Sequence, residues 1–231
     1  GEFKRQRISQ EDREHHTPNV TALFFEVLEN NLASMTAYWN AAEKTYDTTV
    51  HLRDCRDPSL LEENSIDALV TSPPYGDHST TVAYGQFSRE QMVAATPFTG
   101  EQMREVYKNA LGGRNSTASV SFTEACEWSE TLQRTADALE DVDGRRDDAL
   151  AFFTDYAECL VQFARVVKPN QPAVFVVGNR TMSRIPIPMH RITEEFAQTI
   201  GFEHQCTEAR SIPTKRLPWE NAPENKSGKK G

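Results

Sequence analysis

A short apolar segment that ends in two successive prolines constrains the fold of this chain more than any other feature. Residues 66–71 are mostly apolar and rich in β-branched side chains, a pattern that predicts a buried strand of a parallel sheet. Pro73 and Pro74 follow Ser72, and a proline has no backbone N–H and a fixed φ. The strand therefore ends at Ser72, and the carbonyl oxygens of Ser72 and Pro73 cannot enter a following helix or strand.

The end of this strand has the features of a ligand site. Open α/β sheets bind their ligands at the carboxyl ends of the strands. Here two rigid carbonyl acceptors stand beside the aromatic side chain of Tyr75. Such acceptors and a flat ring suit a planar heterocycle with an exocyclic amino group. The alternative is a strand that stops in a tight proline turn without any ligand, which is common after a single proline.

The sequence Thr71-Ser72-Pro73-Pro74-Tyr75 resembles motif IV of the amino-methylating DNA methyltransferases. These enzymes transfer a methyl group from S-adenosylmethionine (SAM) to the amino nitrogen of adenine or cytosine. The run through residues 76–88 also resembles a subset of them. The resemblance therefore implies that DNA is the substrate and SAM the cofactor.

The resemblance also implies roles for the residues of this motif. The target base leaves the duplex, because its amino nitrogen is inaccessible in the stack. Tyr75 would stack on this base, while the Ser72 hydroxyl and the Pro73 carbonyl would accept hydrogen bonds from its amino group. Pro74 completes the catalytic set, and Asp77 orients the loop or contacts the base. A serine before Pro-Pro-Tyr favours cytosine N4 over adenine N6 as the methylated atom.

A second candidate residue, Asp54, lies upstream of the motif. Residues 48–52 are rich in β-branched side chains and predict a strand, which Asp54 follows. By the resemblance, Asp54 would accept a hydrogen bond from the adenine amino group of SAM. Alternatively, Asp54 or Asp57 caps the turn at Pro58 and Ser59.

Apolar periodicity in the rest of the chain predicts an α/β fold. Residues 149–167 predict an apolar amphipathic helix, and residues 173–180 a second fully buried strand in the same parallel sheet. Residues 192–200 predict a helix that is closed by Gly201 and followed by another strand. This alternation is typical of a doubly wound domain. The resemblance implies a partial Rossmann-like class I methyltransferase sheet with helices on both faces.

Three parts are expected along the chain. Residues 1–19 are interpreted as a tag remnant and a disordered lead, residues 20–225 as a partial catalytic domain, and residues 226–231 as a flexible basic tail. A helix is predicted over residues 23–42. Residues 89–148 are predicted to form a helical insertion, which either contributes to target recognition or serves as a lid.

Charge and cysteine usage narrow the class of protein. With a net charge of −9 over 231 residues, any DNA-binding surface must be local, and the resemblance places phosphate contacts at Lys215 and Arg216. The four cysteines include no Cys-x-x-Cys pair, which argues against a zinc site or a disulfide framework and favours a cytoplasmic protein with reduced thiols. This cysteine spacing also leads us to expect no metal partner. No apolar run is long enough to cross a bilayer, so we expect no membrane partner.

A glycine-rich turn after an apolar strand, where a backbone could approach the cofactor, is absent from the sequence. In the resembling enzymes that turn precedes motif IV. We therefore expect the carboxyl-terminal half of a methyltransferase, completed by a partner chain or by a missing amino-terminal half. Two other classes stay open, namely a non-catalytic DNA-binding module and a methyltransferase that acts on RNA or on a protein glutamine.

Overall fold

The computed structural model describes residues 10–15, 17, 19–41, 47–51, 53–76, 93–94, 97–113, 115, 118–140, 142 and 144–210. The chain forms two compact units, one made of Gly1–His51 with Thr207–Gly231 and the other of Leu52–Cys206. The proline-terminated strand belongs to the second unit. None of the helices in the described ranges has the length and apolar character that crossing a membrane requires.

The first unit contains helices α1 (Gln10–His15) and α2 (Val20–Ala41). The side chain of Asn19 accepts a hydrogen bond from the backbone of Ala22 at 2.9 Å and so begins α2. The helix predicted over residues 23–42 is confirmed as far as Ala41, and residue 42 lies outside the described residues. The strand predicted over residues 48–52 is wrong for residues 48–51, which pair with no strand, and residue 52 lies outside the described residues. β-propensity alone does not hold a strand that lacks a paired neighbour.

Five helices of the second unit lie wholly within the described residues. They are α3 (Gly100–Lys108), α4 (Phe122–Trp128), α5 (Glu130–Ala138), α6 (Arg145–Val166) and α7 (Met189–Thr199). Helices α3 and α4 both begin with a capping box, in which a hydroxyl and a longer polar side chain exchange hydrogen bonds with the backbone. The sequence signals are Thr99 with Gln102 and Ser121 with Glu124.

Helix α6 forms the centre of the core. Its aromatic residues Phe152, Phe153 and Tyr156 are fully buried, and helices α4, α5 and α7 pack around it. Phe153 meets the edge of Phe196 on α7, with ring centroids 6.4 Å apart. The Tyr156 hydroxyl lies 3.1 Å from that of Thr193, so the buried phenol has a hydrogen-bond partner. The strong apolar periodicity of residues 149–167 reflects this central position.

Strands β1 (Leu69–Thr71) and β2 (Ala173–Phe175) pair in parallel, which confirms that the two predicted strands share a sheet. Leu69 is opposite Ala173, and Thr71 is opposite Phe175. The connection between them runs through helices, so the described part of the second unit is an α/β structure.

Only one face of this two-stranded sheet is covered in the described residues. Phe175 points towards α6 and meets Phe163 at a centroid distance of 6.4 Å. On the opposite face Val70, Val174 and Val176 are 74%, 49% and 54% exposed. The expectation of fully buried strands with helices on both faces is therefore wrong for these residues, because α6 covers one face only.

A hairpin that the sequence did not predict follows β2. Strands β3 (Arg180–Met182) and β4 (Ile185–Ile187) are antiparallel, and both turn residues, Ser183 and Arg184, have positive φ. Such turns favour asparagine and glycine, so Ser-Arg gives a weak sequence signal.

The end of α7 matches the prediction, but the strand expected after it does not form. Gly201 has φ +102°, and its N–H bonds to the Gln198 carbonyl, while the Phe202 N–H bonds to the Ala197 carbonyl. This Schellman pair closes the helix with glycine as predicted. Residues 202–210 pair with no strand; instead, the ring of Phe202 packs edge-on against Phe175.

Candidate active site

The predicted motif lies at the carboxyl end of β1. Ser72 is exposed, Pro73 and Gly76 are buried, and Tyr75 keeps 39% of its surface exposed. Gly76 turns the chain with φ +80°, and a β-carbon there would stand 3.2 Å from Cγ2 of Ile187 in the hairpin. The turn therefore needs glycine, and the hairpin holds it in place.

The loop that follows β2 supplies the surface on which Tyr75 rests. A β-carbon at Gly178 would stand 3.3 Å from both Cδ2 and Cε2 of the Tyr75 ring. Any other residue at position 178 would therefore displace the ring from its observed position. The Arg180 guanidinium lies 3.5 Å from the Tyr75 carbonyl oxygen. Because β1 and β2 are parallel, the loops after them meet at one edge of the sheet.

The hydroxyl groups of Ser72 and Tyr75 lie on the same side of the turn, 3.5 Å apart. This distance exceeds the 2.5 to 3.0 Å of ordinary O–H···O hydrogen bonds. The contact is weak, and the exposed Ser72 hydroxyl remains able to accept a hydrogen bond from a ligand.

Asn179 lies at the same edge of the sheet, and its side chain links the end of the loop to α7. Its side-chain oxygen accepts from the backbone N–H of His190 at 3.3 Å and lies 2.8 Å from Nδ1 of the same histidine. Since an amide oxygen only accepts, Nδ1 carries the proton in this contact. Asn179 thus fixes the first turn of α7 against the loop.

Asp54 lies in a network that reaches the core. Its carboxylate accepts from the backbone N–H of Arg56 at 2.9 Å and from the Arg56 guanidinium at 2.6 Å. Arg56 also binds Asp155 at 2.7 Å and the Asn109 carbonyl at 2.7 Å. Asp155 is fully buried on α6, and its second oxygen accepts from the Gly112 N–H at 2.7 Å. The hydrogen bond from Arg56 holds the pKa of Asp54 below its usual value.

The turn after Asp54 is capped by Asp57. Its side chain accepts from the Ser59 backbone at 2.9 Å and from the Ser59 hydroxyl at 2.6 Å, and these bonds together with Arg53 lower its pKa to about 2. The capping interpretation is therefore correct for Asp57. Asp54 has a different local role, because it orients Arg56.

Sequence reasoning missed Arg56 and Asp155. The available signal was a carboxylate, Asp155, placed between Phe153 and Tyr156 on the most apolar helix of the chain. A buried carboxylate requires a partner, yet the sequence does not reveal which distant arginine provides it.

The structure brings together four of the predicted site residues, Ser72, Pro73, Pro74 and Tyr75. Asp77, Lys215 and Arg216 lie outside the described residues. Within the described ranges, no group of three or more histidine, cysteine, aspartate or glutamate side chains could hold a metal ion.

A comparison with curated proteins finds a relative for nearly the whole chain. Over an alignment of 237 residues, the chain is 32% identical to "Type II methyltransferase M.MvaI" of Kocuria varians. The chain resembles part of a type II methyltransferase. The alignment takes in 98% of the chain but 52% of the relative, so the chain spans about half the length of the methyltransferase it matches. No protein-family model and no solved structure matches the chain.

Proposed function

We propose that this chain is the base-binding half of a DNA methyltransferase that moves a methyl group from SAM to the exocyclic amino group of a flipped base. The similarity to a type II methyltransferase supports methyl transfer. The observation that carries the proposal is the placement of Tyr75 at the carboxyl end of β1. Its ring rests on Gly178, stays partly exposed, and lies beside the hydroxyl of Ser72.

The residues of this chain position the amino group. Tyr75 stacks on the base, and the Ser72 hydroxyl and the Pro73 carbonyl accept hydrogen bonds from its amino nitrogen. These bonds draw the nitrogen lone pair out of conjugation with the ring, so catalysis is positioning and electrostatics without a covalent enzyme intermediate. Pro74 keeps the turn rigid because its φ is fixed.

Cytosine N4 is the favoured target within this proposal, and adenine N6 is the other. The preference rests on the serine at position 72 before Pro-Pro-Tyr. Comparison of the two methylated nucleosides after digestion of the product DNA distinguishes them directly.

We infer that this chain supplies only part of a site for SAM, because its sequence has no glycine-rich turn after an apolar strand. Asp54, the candidate partner of its adenine, has a side chain 46% exposed, but both carboxylate oxygens already accept hydrogen bonds from Arg56. We therefore assign the remaining contacts with SAM to a partner chain or to a missing amino-terminal half.

The DNA contacts proposed for this chain lie at Asp77 for the base and at Lys215 and Arg216 for phosphates. The described part of residues 89–148 is rich in helix and belongs to the same proposal as a target-recognition insertion. A cytoplasmic location belongs to the same proposal.

The incomplete SAM site also favours a second candidate, a DNA-binding module without catalytic activity. Two measurements separate the candidates: calorimetric SAM binding, and transfer of labelled methyl groups to DNA. Each is made on the chain alone and then on its mixture with the product of an adjacent reading frame or with the supplied amino-terminal half.

Binding and transfer in the mixture, with transfer weakened by about tenfold or more in Tyr75→Ala, support the methyltransferase. A matched control is Phe122→Ala, since Phe122 is a similarly exposed aromatic residue, 47%, at the start of α4. DNA binding without SAM binding or transfer in any mixture overturns the enzymatic proposal and supports the module.

A further inference from the structure

Two of the four cysteines meet in space although they are 104 residues apart in sequence. The Sγ atoms of Cys55 and Cys159 are 3.4 Å apart. Cys55 lies in the exposed loop that carries Asp54 and Arg56, whereas Cys159 is 2% exposed on α6. The spacing of cysteines along the chain gave no indication of this pair.

The two thiols differ in reactivity. The hydrogen bond with Cys159 lowers the pKa of Cys55, and the adjacent Arg56 acts in the same direction. The same hydrogen bond and burial raise the pKa of Cys159. A thiolate is the attacking species in thiol–disulfide exchange, so Cys55 is the group that meets a reagent first. Cys159 is shielded from the solvent but within reach of the sulfur of Cys55.

We propose that Cys55 and Cys159 form a reversible thiol–disulfide site for small-molecule disulfides of the glutathione type. The Cys55 thiolate attacks one sulfur of the reagent, its S–S bond breaks, and the released thiolate takes up a proton. The Cys159 sulfur then attacks the Cys55 sulfur, the mixed disulfide bond breaks, and the proton of Cys159 passes to the small thiolate, which leaves as the second thiol. The two protein thiols lose two electrons, which reduce the disulfide reagent to two thiols.

Oxidation moves the loop rather than the helix. A disulfide bond is about 2.05 Å long, so the two sulfurs must approach by about 1.4 Å. Cys159 is held by α6, whose neighbouring residues Tyr156 and Leu160 are fully buried. The exposed loop moves instead, and Asp54 and Arg56 move with it. Oxidation of the Cys55–Cys159 pair therefore changes the position of the Asp54 carboxylate.

The test uses the full chain, reduced, desalted and then treated with oxidised glutathione. Peptide mapping by mass spectrometry is expected to show a Cys55–Cys159 link without bound glutathione, whereas the exposed Cys206 keeps a glutathione adduct. Reduction with a thiol restores both free cysteines. Hydrogen exchange of a peptide covering residues 53–60 is expected to slow in the linked form.

Three variants make the assignment specific. Cys159→Ser is expected to stop at a glutathione adduct on Cys55, and Cys55→Ser to leave Cys159 unmodified in the folded protein. Cys206→Ser, the matched control, keeps the internal link. Stable adducts on Cys55 of the unmutated chain, or an unreactive Cys55 when Cys206 reacts, overturn the proposal.

The effect of oxidation on SAM affinity rests on the proposed function, whereas formation of the link does not. A link that forms without changing SAM binding would count against the role of Asp54 and leave the thiol–disulfide site standing.

Discussion

The ring of Tyr75 lies against the backbone of Gly178, so closely that a β-carbon at position 178 would stand 3.3 Å from two ring carbons. The two residues end up together because β1 and β2 are parallel neighbours and each is followed by a loop at the same edge. The position of the proposed stacking ring is therefore set by a residue that the motif itself does not include.

Gly178→Ala tests this contact. The added methyl group displaces the ring by a few tenths of an ångström, because ring and methyl would otherwise be closer than ordinary van der Waals contact. We expect methyl transfer to fall about tenfold, since small misplacements of positioning groups are costly, while the free energy of unfolding changes by about 1 kcal/mol or less. Gly100→Ala is the control, because a β-carbon there meets nothing within 4 Å. Unchanged transfer by Gly178→Ala would contradict this role.

Substitutions of Tyr75 separate the ring from its hydroxyl. Base stacking on an aromatic side chain contributes about 1–3 kcal/mol, so Tyr75→Ala is expected to weaken methyl transfer by about tenfold to a hundredfold. Tyr75→Phe keeps the ring and removes only the 3.5 Å contact with Ser72, so transfer should stay within about threefold of the unmutated chain. Initial rates on one DNA duplex, measured in the mixture with the partner chain or the supplied amino-terminal half, show both effects. Equal losses in the two variants would show that the hydroxyl, not the ring, matters.

Arg56→Met is expected to destabilise the second unit by about 3–5 kcal/mol, because it removes the Arg56 guanidinium from its ion pair with the buried carboxylate of Asp155. Urea unfolding followed by tryptophan fluorescence measures the loss. Arg53→Met is the matched control, since Arg53 pairs with Asp57 at the surface and such pairs contribute about 1 kcal/mol or less. Similar losses in the two variants would contradict the structural importance of the Arg56–Asp155 pair.

Stability is expected to depend on pH through Asp54. Arg56 lowers the pKa of Asp54 in the folded chain below its usual 3.8, so the folded state binds this proton less readily than the unfolded state. The contribution of Asp54 is therefore present above pH 3.8 and is lost as the pH falls through the lowered pKa. Urea unfolding between about pH 6 and about pH 3 should show a shallower acid decline for Asp54→Asn than for the unmutated chain or the surface variant Glu63→Gln. Parallel curves for all three proteins would refute the assignment.

The sequence predicted the features that depend on neighbouring residues. Helical spacing of apolar side chains identified α2, α6 and the end of α7, and the Ser-Pro-Pro-Tyr run located the turn after β1. These signals are local, because a helix face or a proline turn is specified within a few residues.

The features that depend on distant residues were not predicted. The Arg56–Asp155 ion pair joins residues 99 positions apart, and Gly178 reaches Tyr75 only through the pairing of β1 with β2. The exposed face that contains Val70 was not predicted either. An apolar strand indicates that its burial is favourable, but its sequence does not show which element covers each face.

The pairing of β1 with β2, the Arg56–Asp155 ion pair and the Cys55–Cys159 contact all close one loop of about a hundred residues. The loss of chain entropy is incurred once, by whichever contact forms first, and the other two then form at little further cost. Since distant contacts form slowly, helices α3 to α6 should assemble before the strands meet. During synthesis the turn at Tyr75 therefore emerges early but acquires its partner loop only after β2 has left the ribosome.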